Sequence, residues 1–336
     1  MTQWGQGPAP AQFAFVLIAA VTLATGSAHT QAFTSPSGSS GGLGSTRSFN
    51  PLATPDGAPA ITPAQSALPT VPVPFQAMPQ IPTGQGALAV AARFGRDLPP
   101  IGSGVTWRIY DARPDANGIF KMIKEDRTAT PVLPLPPGNY LVYASLGYAS
   151  VARQVTVRTN DQTREIFDIP AGGLRFEGRV GDVRIPPAQI SFDLLKGSQF
   201  EPGEQRPVAQ GLMTGDVILV PEGTYSIVSN YGDANSMVRS DIRVQAGKLT
   251  DVTVTHRAAV ITLKLVGGRG GEALANTAWS VMTPGGDVVK ESIGAFPRVI
   301  LAEGEYRALA RNEGKVYERT FTVTPGVDGE VEVLAH

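Results

Sequence analysis

Cysteine is absent from all 336 residues of this chain. That excludes disulfides, a lipid-modified cysteine anchor and thiolate metal sites. Histidine is almost as scarce, with only His29, His256 and His336. A Ser-His-Asp triad or a histidine-ligated metal is therefore hard to assemble. Charged residues make up 17% of the chain, below the usual quarter or so. The 28 basic and 29 acidic side chains nearly cancel, leaving no basic footprint for nucleic acid or an anionic membrane surface. Long apolar runs are missing too, apart from one near the start that is short for a bilayer.

What is abundant is glycine and proline, 38 and 28 residues. They suit turns and linkers rather than long helices. The early apolar run, Phe13 to Ala24, has the length of a signal h-region, and small residues follow at Gly26-Ser27-Ala28 and Thr30-Gln31-Ala32. Residues 1–32 read as a signal peptide cleaved after Ala28 or Ala32, although no Lys or Arg precedes Arg47. The alternatives are an uncleaved anchor or a misplaced start codon. Residues 33–85 carry ten prolines among Ser, Gly, Ala and Thr, and read as a disordered linker. Extended at about 3.1 Å per residue, it would hold the folded part on the order of 100 Å from the N-terminus.

The remainder is organised by a stretch that returns twice. Leu133-Pro134-Leu135-Pro136-Pro137-Gly138-Asn139-Tyr140-Leu141-Val142 is echoed by Ile218-Leu219-Val220-Pro221-Glu222-Gly223-Thr224-Tyr225-Ser226-Ile227 and by Val299-Ile300-Leu301-Ala302-Glu303-Gly304-Glu305-Tyr306-Arg307-Ala308. The tyrosines lie 85 and 81 residues apart. Strand-like runs opening at Leu88, Leu174 and Val260 are spaced by 86 residues both times. A second strand in each unit carries an aromatic, Trp107, Phe192 or Trp279. Recurrence of several landmarks in one order marks a tandem array. The units are placed at residues 86–171, 172–257 and 258–336.

Alternating short strands, glycine turns and no helical period predict an all-β chain of three small antiparallel, Ig-like β-sandwiches. Trp107, Phe192 and Trp279 are expected between the sheets. Gly138, Gly223 and Gly304 are expected to supply turn geometry, and Tyr140, Tyr225 and Tyr306 to bury a ring while the hydroxyl reaches a main-chain partner. These nine are structural repeat positions. A tyrosine strip for sugar binding is the sharper alternative. Of the joints, Ile169-Pro170-Ala171-Gly172-Gly173 is expected to bend, whereas Val254 to Ala259 runs almost straight on, giving a stiff rod.

The Pro-Gly-x-Tyr turn at Pro137-Gly138-Asn139-Tyr140 resembles that of bacterial carboxypeptidase-regulatory-like, or transthyretin-like, sandwich domains. Units two and three depart from it, with Glu222 and Glu303 where unit one has Pro137. The resemblance spans residues 86–336 and implies seven-stranded accessory or adhesion modules of exported proteins. Such modules are generally non-catalytic, so no active-site residues carry over.

Catalytic, cofactor and metal residues are accordingly expected to be none. His256 reads as a solvated joint residue. Asp111 with Asp115 is a carboxylate pair that nothing in the spacing singles out. The loops Asp111 to Gly118 and Tyr231 to Asn235 are oxygen-rich but lack EF-hand spacing, so Asx-turns are expected. Gly267-Gly268-Arg269-Gly270-Gly271 lacks the Lys-Ser/Thr of a P-loop and reads as a turn. The resulting expectation is an exported, periplasmic or extracellular structural protein of a bacterial envelope, with a protein or polysaccharide partner. Competing expectations are a carboxylate-dependent carbohydrate-active enzyme and a small-ligand module between units two and three.

Overall fold

The computed structural model describes residues 61–69, 82–200 and 206–336. The expected signal, residues 1–32, lies outside them, as do linker residues 33–60 and 70–81. The regular structure of the described residues is all strand, apart from one three-residue 3-10 turn at Pro187–Gln189.

Three sandwiches of the same topology follow one another. The first contains β2 (Gly86–Arg93), β3 (Thr106–Pro114), β4 (Phe120–Asp126), β5 (Val132–Leu135), β6 (Gly138–Leu146), β7 (Ala149–Val157) and β8 (Gln162–Asp168). They form a three-stranded sheet, β5-β2-β8, over a four-stranded one, β4-β3-β6-β7. The second contains β9 (Ala171–Val180), the two-residue β10 (Val183–Arg184), β11 (Ile190–Lys196), β12 (Arg206–Leu212), β13 (Val217–Pro221), β14 (Gly223–Tyr231), β15 (Ser236–Val244) and β16 (Lys248–Thr255). The third contains β17 (Ala258–Val266), β18 (Ala278–Met282), β19 (Val288–Ile293), β20 (Arg298–Ala302), β21 (Gly304–Asn312), β22 (Lys315–Val323) and β23 (Gly329–Leu334). Its sheets, β20-β17-β23 and β19-β18-β21-β22, repeat the first order.

Strand pairs are antiparallel, as the hairpin-rich sequence leads one to expect, with three exceptions. The first and last strands of each sandwich pair in parallel: β2 with β8, β9 with β16, and β17 with β23. The opening strand of the first sandwich is apolar on both faces. Ala87, Leu88, Ala89, Val90, Ala91 and Ala92 are all buried, as befits a central strand flanked on both edges. Each sandwich has its own core, around Trp107 and Phe167, around Phe176 and Phe192, and around Trp279.

The linker expectation fails at one place. Residues Ile61–Ala67 form strand β1, paired antiparallel with β16 from Ile61↔Val254 to Ala67↔Lys248. A segment that precedes the first sandwich thus completes a sheet of the second. The sequence Ile61-Thr62-Pro63-Ala64-Gln65-Ser66-Ala67 lacks two-residue alternation because only Ile61 is buried and the other six are exposed. Its partner is a main-chain edge, which demands little of side chains, and an outermost strand tolerates Pro63.

Candidate functional site at the repeat joints

The recurrent tyrosines sit alike. Tyr140 donates to the Pro136 carbonyl at 2.6 Å, Tyr225 to Pro221 at 2.8 Å and Tyr306 to Ala302 at 2.8 Å. All three are buried, and burial raises the phenol pKa of Tyr140 and Tyr225. Gly223 and Gly304 both have φ of 149°, where a side chain is disfavoured. Gly138 lies outside that region, and a Cβ there would stand 3.6 Å from the Tyr140 ring. Trp107, Phe192 and Trp279 are almost fully buried. Trp107 Nε1 donates to Thr128 O at 3.1 Å and Trp279 Nε1 to Gly294 O at 2.9 Å. Phe192, which has no such donor, stacks on Phe176 with centroids 5.1 Å apart. The nine positions are thus spread through three cores rather than gathered at one surface.

The remaining candidates disperse as well. Asp111 accepts from Arg113 N at 2.9 Å, and Asp115 from Asn117 N and Ile119 N at 2.9 Å each. Asp111 is turned onto the end of its own strand and Asp115 onto its own loop. Gly271 N closes a turn on Gly268 O at 2.9 Å. Among the described residues no three His, Asp or Glu side chains stand together as a metal site. A cleft of about 680 Å³ on the third sandwich is lined by Arg269, Tyr317, Glu318, Arg319, Glu332 and His336, among others. Arg319 is already committed there, donating to Glu332 O at 2.5 Å.

The most built-up polar arrangements outside the cores are the two joints, and they are constructed alike. Only Ile169 and Pro170 separate β8 from β9, and only His256 and Arg257 separate β16 from β17. Ile169 N donates to Arg93 O at 2.8 Å, and His256 N to Arg179 O at 2.7 Å. Glu222 N reaches Pro170 O and Glu303 N reaches Arg257 O, both at 2.8 Å. Gly247 N bonds Ala171 O at 2.8 Å, and Gly326 N bonds Ala258 O at 3.0 Å.

In both joints the turn after the tyrosine strand docks on the next sandwich. Gly147, with φ of 58°, lies so close that a Cβ would stand 2.7 Å from Leu219 O in β13. Gly232, with φ of 73°, has the same relation to Ile300 in β20, a Cβ there falling 2.7 Å from the Ile300 Cβ. Tyr148 N then bonds Leu219 O at 2.8 Å. On the second side Asn235 does more: its amide donates to the Tyr306 hydroxyl at 2.8 Å and its carbonyl oxygen accepts from Ala302 N at 3.0 Å. Lys290 pairs with Asp233 at 2.6 Å, and Arg257 binds both oxygens of Glu303 at 2.5 and 3.0 Å.

Two expectations about the joints are corrected. His256 is not solvated: it is 1% exposed, with Nε2 at 2.8 Å from Ser229 Oγ and Nδ1 at 2.9 Å from Ser236 Oγ. Tyr231 packs edge-on at 5.7 Å. Burial alone lowers the imidazole pKa to about 4. The two-residue link aims the side chain back between β14 and β15, where the hydroxyls satisfy both nitrogens. Nor do Gly172 and Gly173 bend the first joint. They lie inside β9, and a Cβ would fall 2.3 Å from Gln245 O at Gly172 and 2.9 Å from Leu249 Cδ1 at Gly173. Close approach, not a turn, requires glycine there.

Asn235 belonged to a loop readable only as an Asx-turn, and one chain offers no local sign of its docking role. The parallel between Tyr148 and Asn235, each a few residues past the repeated tyrosine strand, is the one signal that could have found it.

Comparison with known proteins ties one part of the chain to a family. Residues 260–335 match the model of the Rhizobiales growth-associated tandem repeat domain. No curated protein shows significant sequence similarity. Solved structures that this chain matches include the Bacillus anthracis TIE protein, at 14% identity and a TM-score of 0.23 over 74% of this chain and 51% of that one. This chain therefore spans about half of that protein. The minor pilin GBS52 of Streptococcus agalactiae follows, with 15% identity and a TM-score of 0.28 over 51% of this chain and 95% of the pilin. A streptococcal ancillary pilin gives 16% and 0.27 over 75% and 99%. The chain is thus similar, across its third sandwich, to a tandem repeat domain found in Rhizobiales.

Proposed function

We propose that this chain is an exported, non-catalytic structural protein of the bacterial cell envelope, whose joined sandwiches present a surface to a protein or polysaccharide partner. The observation that carries the proposal is the duplicated joint. Two-residue links, three matched main-chain hydrogen bonds and a turn docked on the next sandwich hold successive units in one relation, which suits a spacer or scaffold. Where the second and third sandwiches meet, Ile300 packs on the second core and Asn235 bonds Tyr306 and Ala302, which favours a structural contact over a small-ligand site. Asp115, of the carboxylate pair the sequence offered, binds its own turn, and Glu303 at the second joint is paired with Arg257. The match over residues 260–335 to a growth-associated repeat is in keeping with an envelope role. The transthyretin-like kinship of the Pro-Gly-x-Tyr turn remains part of this proposal.

Fractionation of the native cell with N-terminal sequencing tests it. A mature N-terminus after Ala28 or Ala32 in a soluble envelope or external fraction is expected. Uncleaved protein in the cytoplasm would overturn the reading.

A further inference from the structure

The last strand of each sandwich flanks the opening strand on its smaller sheet, and two of these three strands are guarded alike while the third is not. Beside β8, Arg153 of β7 donates to the Ile166 carbonyl at 3.1 Å and to Glu165 at 2.6 Å. Beside β23, Arg319 of β22 donates to the Glu332 carbonyl at 2.5 Å. Each arginine is the fifth residue of its strand, and each places a charge over the main chain where another strand would add, a usual protection of exposed edges. The fifth residue of β15 is Ser240. Among the described residues no arginine of β15 bonds the β16 main chain as Arg153 and Arg319 bond theirs, and β1 lies along β16 instead. Ile166 stands three residues before the joint residue Ile169, and Thr253 three residues before His256. Thr253 is the residue that pairs with Thr62. So the position capped by arginine in the first sandwich is capped in the second by a strand from elsewhere in the chain.

That strand is lightly held. Six of its seven residues are exposed, and its apolar anchorage is Ile61 in the second core with Leu68 just beyond the strand. It is separated from β16 by some 180 residues of sequence, and twelve residues, 70–81, divide Pro69 from Pro82. Exchange of an identical element between copies keeps all the contacts of the closed form, so its cost is small.

We infer that the edge of β16 is a strand-acceptor site and that its second occupant is segment Ile61–Ala67 of another copy of this chain, which joins copies by strand exchange. Complementarity is already displayed within one chain, from Ile61↔Val254 to Ala67↔Lys248, and a second copy brings the same residues in the same register. The guarded edges β8 and β23 do not take part. The inference stands independently of export and of any envelope partner.

Absence of cysteine makes the test clean, since any disulfide must join introduced residues. Full-length Thr62→Cys is mixed with full-length Thr253→Cys, in register, or with Lys248→Cys, out of register, and oxidised over a concentration series. The series reaches about 1 mM, near the effective concentration a short tether gives its own strand. The double variant T62C/T253C reports the closed form. The expected result is an intrachain disulfide in the double variant and, in the mixtures, an in-register heterodimer several-fold above the out-of-register one, its share rising with concentration. Equal yields from the two mixtures, or no heterodimer at the highest concentration while the double variant closes, would overturn the exchange. Failure of the double variant to close would overturn it as well, by removing β1 from β16.

Discussion

The first and second joints share their link length, three main-chain hydrogen bonds and a docked glycine turn, yet differ at three buried side chains. Where the first has Ala144, Ala149 and Ile169, the second has Ser229, Ser236 and His256. The positions correspond: Ala144 lies opposite Trp107 and Ser229 opposite Phe192, while Ala149 and Ser236 open β7 and β15. The first set is an apolar plug. The second is a closed hydrogen-bonded triad of similar bulk, in which neither imidazole nitrogen is left without a partner. One backbone arrangement thus accepts either chemistry, provided that all three positions change together. The second joint adds the pair of Arg257 with Glu303, because Arg257 stands where the first has Pro170.

Putting one histidine into the wrong joint is the harshest way to break this comparison. Ile169→His would bury an imidazole among Ala144 and Ala149, which offer no hydroxyls. A loss of about 4 kcal/mol is expected, from an unsatisfied polar group plus poor packing. Urea denaturation of the full chain measures it, and a cost below about 1 kcal/mol would show that the first joint is not packed as described.

Next in size is the pH dependence of the second joint. The folded-state pKa of His256 is lowered to about 4 from the ordinary 6.5, so the unfolded chain binds more protons between those values. Stability from this group is therefore complete above pH 6.5 and falls away as pH drops towards 4, by about 3 kcal/mol in all. The nearby charges, Asp328 and Arg298, act on Tyr231 in opposite senses. An imidazole NMR titration checks the pKa directly; a midpoint near 6.5 would mean that the pocket is wet.

The reverse transplant is milder. His256→Ile leaves the Ser229 and Ser236 hydroxyls without a partner and should cost about 2 kcal/mol. Adding Ser229→Ala and Ser236→Ala recreates the first joint and should recover most of that loss, while removing the slope between pH 4 and 6.5. If the triple variant is no better than the single one, the two joints are not interchangeable and the correspondence fails.

Much of this comparison was legible before any coordinates. The tyrosine turn, the strand aromatics and the three opening strands follow from local chemistry repeated at a near-fixed spacing, which a single chain displays openly. What stayed hidden depends on contacts distant in sequence. His256 looks like a polar residue between strands, and only the two serines, 20 and 27 positions earlier, make it a buried one. Strand β1 is invisible for a related reason: its pairing uses the main chain of β16, and main-chain edges leave no pattern in the donor sequence. Gly172 and Gly173 mislead because a glycine needed for close approach is spelled like one needed for a bend.

The smallest effects separate the pairs that the second joint adds. Asn235→Ala removes the hydrogen bonds to the Tyr306 hydroxyl and from Ala302 N, part-buried groups that no longer have this partner, and should cost about 1 to 2 kcal/mol. Glu303→Gln weakens the two contacts with Arg257, yet both side chains are exposed, at 57% and 41%, where water and salt screen the attraction. Its denaturation midpoint should fall within the scatter of ordinary surface changes, and any residual difference should vanish in 1 M salt. A Glu303→Gln loss as large as that of Asn235→Ala would mean that the joint is held by charge rather than by the docked turn. The first joint, where Pro170 stands in place of Arg257, would then be expected to open more easily than the second.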